Sequence, residues 1–195
     1  MKINRNFPLP ALVLAGALAL SACGGGDSES MTNDTSSEQT SQEAATTFND
    51  ADVEFASQMI PHHKQAVIMS ELAFDRGGPE VVELAEQIRD AQSPEIETMT
   101  QWLSDWGVDE PMSMNMDDMG SGGMMGPDDM QSLMGAQGQE FDTAWLEMMI
   151  VHHVGAITMS QAEQENGASQ EAIGLAGEII EAQQAEITQM EGMLE

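Results

Sequence analysis

Met59-Ile-Pro-His62-His63-Lys-Gln-Ala-Val-Ile-Met69-Ser70 sets the reading of the whole chain, because it is written twice. Ninety residues on, Met149-Ile-Val-His152-His153-Val-Gly-Ala-Ile-Thr-Met159-Ser160 keeps the order and spacing of Met, His, His and Met. A following half is doubled too. Leu84-Ala, Ile88, Ala91-Gln92, Glu95-Ile96 and Met99 return 91 residues later as Leu175-Ala, Ile179, Ala182-Gln183, Glu186-Ile187 and Met190. Self-similarity at a fixed offset marks a structural unit built twice.

Each unit has the pattern of a helical hairpin. Val53, Ala56, Met59, Ile60, Ala66, Val67, Leu72 and Ala73 recur at helical spacing, and Asn49 or Asp50 is placed to cap the first turn. Gly77-Gly78 stops this helix and Pro79 suits the start of the next, which carries Val82, Leu84, Ala85, Ile88, Ala91, Ile96, Met99 and Leu103. Pro61 and Pro94 fall inside the two patterns and are expected to kink them. The second unit runs from about Gln139 to Glu165, turns at Asn166-Gly167, and returns from about Ser169 to Leu194. Hairpins at 49–106 and 139–194 predict an all-α, four-helix bundle over 49–195. The connection at 107–138 holds Met112, Met114, Met116, Met119, Met124, Met125, Met130 and Met134 among Gly, Ser, Asp and Asn. It reads as a long crossover loop without regular burial.

Ahead of the bundle, residues 1–22 read as a lipoprotein signal peptide. Lys2 and Arg5 precede an apolar run at 9–20, and Leu20-Ser-Ala-Cys23 resembles a bacterial lipobox with Cys23 as the acylated residue. The run is too short for a comfortable span of about 20 residues. Residues 23–48, rich in Gly, Ser, Thr, Glu and Gln, read as a disordered tether. The protein is then expected to be exported and lipid-anchored on the outer side of the cytoplasmic membrane. Cys23 is the sole cysteine, so no intrachain disulfide forms. Loss of residues 1–22 leaves three basic residues against 34 acidic ones, a net −31. Such a surface repels nucleic acid and anionic lipid and favours cations.

In antiparallel hairpins, residues equidistant from the turn share a level. His62 and His63 then face the neighbourhood of Gln92 to Glu95, His152 and His153 that of Gln183 and Glu186, and Met59 and Met149 lie near Met99 and Met190. Neighbouring histidines point about 100° apart, so one of each pair is expected to face inward and the other a groove. Imidazole suits copper and zinc, and thioether sulfur selects Cu(I) or Ag(I). Met112-x-Met114-x-Met116 resembles the methionine clusters of exported copper-handling proteins. The plainer alternatives are methionines as core filler, buried His–Glu hydrogen bonds that fix helix register, and a disordered loop. Glu95 and Glu186 also suit a place behind the histidines, holding one tautomer.

At these residues the chain resembles the family known as domain of unknown function 305. The resemblance rests on Met-Ile-Pro-His-His-x-Gln-Ala-x-x-Met at 59–69, Gln-x-x-Glu-Ile-x-x-Met with Trp-Leu at 92–103, and the second copy at 149–159 and 183–190. It implies a ferritin-like four-helix bundle in exported bacterial proteins, some associated with copper. It points to Met59, His62, His63, Met69, Met149, His152, His153 and Met159. Val151 and Gly155 depart from the proline and glutamine of the first copy, which suggests a second half that binds more weakly or only completes the bundle.

The expected function is copper sequestration, tolerance or delivery, with the metal as Cu(I), Cu(II) or both and a copper-handling protein as partner. Candidate ligands are Met59, His62, His63, Met69, Glu95, Met99, Met149, His152, His153, Met159, Glu186 and Met190, with Met112, Met114, Met116, Met119, Met124 and Met125 from the crossover. Two alternatives stand beside it. A metal-free scaffold would use the acidic surface to dock a cationic partner. A di-iron oxidase needs Glu-x-x-His on two helices, but residues 59 and 149 are methionines. No nucleophile constellation or phosphate-binding glycine loop is visible, so no enzyme activity is expected.

Overall fold

The computed structural model describes residues 47–108 and 122–195. Cys23, the expected signal peptide, most of the expected tether, and Met112, Met114, Met116 and Met119 lie outside the described residues. The described part is all-α, with five helices and no strand among the described residues. They are α1 (Asp50–Arg76), α2 (Pro79–Asp105), α3 (Pro127–Gly135), α4 (Gln139–Asn166) and α5 (Gln170–Met193).

Local chemistry sets the helix ends. Asn49 caps α1 by accepting from the Ala51 and Asp52 amides, while the Asp52 carboxylate accepts from the Asn49 amide at 2.6 Å. Gly77 and Gly78 break the chain in extended conformations, and Pro79 opens α2 where its missing N–H costs nothing. Ser169 caps α5 through the Ala172 amide. Pro61 and Pro94 sit inside α1 and α2, which run past them as single helices.

The crossover differs from its expectation as an unburied loop. Gly126-Pro127-Asp128-Asp129 starts a helix, with Pro127 in the first turn and Asp129 accepting from the Gly126 amide at 3.0 Å. Leu133 of α3 is fully buried, and Met124 and Met125 are buried as well. Met125 packs with Ala66, Met69, Trp145 and Leu146. These two methionines therefore have a packing role that the sequence did not disclose, which corrects the expectation that Met124 and Met125 lie in a loop without regular burial. The reason is that an apolar side chain can be buried from a segment with no period of its own when a neighbouring helix offers the groove.

Short α3 rests on α4, and three pairings hold the long helices together: α1 on α2, α4 on α5, and α1 on α4. The last is antiparallel. Asp52 lies beside Glu163 at one end, the tilted rings of His62 and His152 meet in the middle, and the Trp145 indole N–H donates to the Met69 carbonyl at 2.9 Å towards the other. Trp145 and Phe141 are wholly buried on α4. Side chains of this size each contribute about 1.5–3 kcal/mol or more by leaving water, so they anchor the contact. Each hairpin also grips the other's turn. Asp52 accepts from the Ala168 and Ser169 amides, and Asp142, ninety residues on, accepts from the Gly78 amide at 2.8 Å.

Candidate metal centre

Midway along α1 and α4 the four histidines form a row across the protein. His62 and His152 meet at the α1–α4 contact with ring centroids 3.7 Å apart. His63 and His153 flank them, with centroids 6.5 and 6.3 Å from their chain neighbours. The outer pair turns towards the partner helix of its own hairpin. His63 Nε2 lies 2.7 Å from Glu95 of α2, and His153 Nε2 lies 2.6 Å from Glu186 of α5. All four rings are buried, whereas Glu95 and Glu186 keep 20% and 16% of their side chains exposed and so join the row to solvent at both ends. One histidine of each pair thus faces inward and one faces the groove. The inward two meet each other, which counting along a single hairpin does not reveal.

Ring nitrogens remain without partners among the described residues. They are Nδ1 of His62, His63 and His153 and both nitrogens of His152. A buried, unpaired imidazole nitrogen is costly unless something occupies it. Burial first, and then the charge that His63 would carry beside it, pull the His62 pKa down to about 3, against a small opposing effect of the Gly122 carbonyl. His152 is pulled well below its ordinary value, again by burial first and then by the neighbouring histidines. The inner pair is therefore neutral at physiological pH, with lone pairs free.

The methionines divide differently from their order in the sequence. Met59 and Met99 are fully buried in one half of the core, with Met159 packed against it. Met69, Met149 and Met190 are fully buried in the other half. Met59 and Met69 of one helix thus belong to opposite sides of the histidine row, and each thioether set draws on both repeats. Met59 shares its half of the core with Met99, and Met149 shares the other with Met190, as counting from each turn predicts, while the antiparallel crossing of α1 and α4 adds Met159 to the first set and Met69 to the second.

Three further features bear on the site, of which sequence reasoning missed the pairing of Asp52 with Asp142 and the space that Gly155 leaves. Gln92 and Gln183 are buried at equivalent positions, with neither amide atom partnered among the described residues. Their place in the doubled motif was the available signal. Asp52 and Asp142 share the offset of ninety, which marks the two turn-gripping carboxylates. Gly155 is a third case. A Cβ there would collide with the Gly122 backbone, so its glycine makes room for the returning crossover. Among the described residues no three His, Cys, Asp or Glu side chains converge as a group able to hold a metal ion. The imidazoles come in pairs.

Over residues 52–194 the chain matches the family described as domain of unknown function DUF305. No curated protein is significantly similar to it. Among solved structures it is similar to a DUF305 protein from Streptomyces coelicolor, named as a candidate secreted protein, at 32% identity and a TM-score of 0.68, covering 74% of this chain and 90% of that one. A DUF305 fragment from Deinococcus radiodurans is 27% identical with a TM-score of 0.70, covering 75% of this chain and 96% of that one. CopM in its Cu(I)-bound form is 31% identical with a TM-score of 0.62, covering 73% of this chain and 94% of that one. CopM is also known in Cu(II)-bound and Ag-bound forms.

Proposed function

The chain belongs to the DUF305 family, and from that premise we propose that it is an exported, lipid-anchored copper-binding protein that sequesters copper or passes it to a partner. The observation that carries the reading is the buried row of four histidines with unpartnered ring nitrogens, set between two groups of thioethers. Similarity to CopM, which is known with Cu(I), Cu(II) and Ag, supports the choice of metal.

The donors fit such an ion. Glu95 and Glu186 accept from Nε2 of His63 and His153, so Nδ1 of each carries the lone pair, the arrangement by which a carboxylate orients a metal-bound imidazole. Neutral imidazoles bind without first losing a proton. Met59, Met99 and Met159 on one side, and Met69, Met149 and Met190 on the other, supply the softness that favours Cu(I). Met112, Met114, Met116 and Met119 are assigned to capture of Cu(I) from solution. The four long helices are read as a ferritin-like four-helix bundle, with α3 laid against α4. No catalytic step is assigned, because thioethers occupy positions 59 and 149, where a di-iron bundle needs glutamate.

The test is thermal unfolding of the metal-free protein with added Cu(I) or Ag(I). At a free-ion concentration 100 times Kd, mass action adds about 2.7 kcal/mol of stability. For a domain of this size that raises Tm by about 5–11 °C. Replacing His62, His63, His152 and His153 by Ala should abolish Cu(II) binding. An unchanged Tm with both ions would overturn the assignment.

A further inference from the structure

The outer histidines are treated alike by the two repeats, but the inner ones are not. His62 Nε2 lies 3.1 Å from the Gly122 carbonyl, whereas His152 has no partner at either nitrogen among the described residues. Gly122 belongs to the short strap, Gly122–Met125, by which the crossover returns to the helices. Gly122 and Gly123 both have positive φ, 66° and 83°, which bend the strap onto α4.

Two residues seat the strap, and they occupy the same place in the two copies. Gln65 grips Met125 with both ends of its amide: Nε2 donates to the Met125 carbonyl at 2.9 Å and Oε1 accepts from the Met125 N–H at 2.6 Å. Both bonds are buried. Gly155, the counterpart of Gln65, leaves the space that Gly122 and Gly123 fill. One copy holds the strap and the other admits it.

A backbone carbonyl has no proton to give, so the His62–Gly122 hydrogen bond requires the proton on His62 Nε2. We infer that the strap is a positioning element for the metal centre: Gly122, held in place through Gln65 and Met125, fixes His62 as the Nε2–H tautomer and leaves Nδ1 to bind. Gly122 thereby does for His62 what Glu95 and Glu186 do for His63 and His153. His152 alone has no fixed tautomer and is the adaptable ligand of the inner pair. The consequence for metal binding rests on the function proposed above; the tautomer assignment does not.

The experiment uses the metal-free protein with 15N-labelled histidine, and long-range 1H–15N correlation reads each tautomer. In the wild type, His62, His63 and His153 are all expected as Nε2–H. Gln65→Ala should speed amide exchange at Met125 and turn His62 into a tautomer mixture, while His63 and His153 stay unchanged. Ag(I) affinity should then fall about 10-fold or more, the usual cost of losing the group behind a ligand histidine. Gln65→Glu keeps the acceptor for the Met125 N–H, loses the donor, and should give a smaller shift in the same direction. The inference is overturned if wild-type His62 carries its proton on Nδ1. It is equally overturned if His62 stays purely Nε2–H in a variant whose Met125 exchange shows the strap released. A wild type that shows the expected tautomers but binds neither Ag(I) nor Cu(I) would remove the copper assignment and leave the strap's role standing.

Discussion

Replacing Glu163 by Gln should remove a fall in stability that the wild type suffers above neutral pH. Glu163 is only 2% exposed, on α4 beside Asp52 of α1. Burial first, and then the Asp52 side chain, push its pKa from 4.5 up to about 8. Burial also works to raise Asp52, but hydrogen bonds from Glu163 and from the Asn49, Ser169 and Ala168 amides outweigh it and hold that group below its ordinary 3.8. Folded Glu163 thus binds its proton more tightly than the unfolded chain does. The stability it contributes is complete below pH 4.5 and is lost as pH rises through 8. At about 1.36 kcal/mol per pH unit the whole window is worth at most about 5 kcal/mol, and the stretch from pH 6.5 to 8 about 2 kcal/mol. In that upper stretch Asp52 has already ionised, and the His62 and His152 contribution, which comes from unfolded histidine still partly protonated near pH 6.5, is shared by wild type and Glu163→Gln. Wild-type Tm should drop by about 4–8 °C between pH 6.5 and 8 for a domain of this size. Gln mimics the protonated acid and donates to Asp52 at every pH, so the variant should lack this drop. Circular-dichroism melts of both proteins from pH 5 to 9 provide the measurement. The same pH slope in Glu163→Gln as in wild type would refute the reasoning.

Two further outcomes follow from the same geometry. Gly155→Gln, which makes the second copy like the first, drives a side chain into the Gly122 backbone; overpacking of this kind should cost about 1–3 kcal/mol, read as a lower urea midpoint. On the acid side, His62 is held at about 3 against 6.5, so its stability is complete above pH 6.5 and lost as pH falls towards 3, by at most about 1.36 kcal/mol per unit. A neutral replacement, His62→Gln, should flatten the acid limb of a Tm-against-pH curve between pH 6 and 4, and an unchanged limb would assign acid sensitivity elsewhere.

What the sequence disclosed, and what it withheld, divides along the line between local and non-local physics. Counting from Gly78 brings His63 and Glu95 to one level, and they lie 2.7 Å apart; counting from Ala168 does the same for His153 and Glu186. A hairpin's register is set by its own turn, so a single stretch contains that information. The meeting of His62 with His152 depends on how two hairpins cross, and nothing local to either fixes it. Two adjacent histidines about 100° apart leave open which one turns inward. Met124 and Met125 were opaque for a related reason: their burial is supplied by Gln65 and the groove on α4, not by any period around them.

The duplication offers a second kind of signal where the copies disagree. A symmetric pair of hairpins joined by one crossover cannot treat both inner histidines alike, because there is a single strap to share between them. The disagreement of Gln65 with Gly155 is the mark of that sharing, so it does not by itself weaken the second half. Ala73 against Glu163 is a disagreement of another sort. Ala73 packs with Leu84 and Phe141 in an apolar cluster, whereas its counterpart places a buried acid beside the carboxylate that grips the α4–α5 turn. The fold evidently accepts alanine at this position in one copy, so packing alone does not require a carboxyl in the other. Agreement between the copies therefore locates the shared histidine row, and disagreement locates the places where one connection and one proton make the two halves unequal.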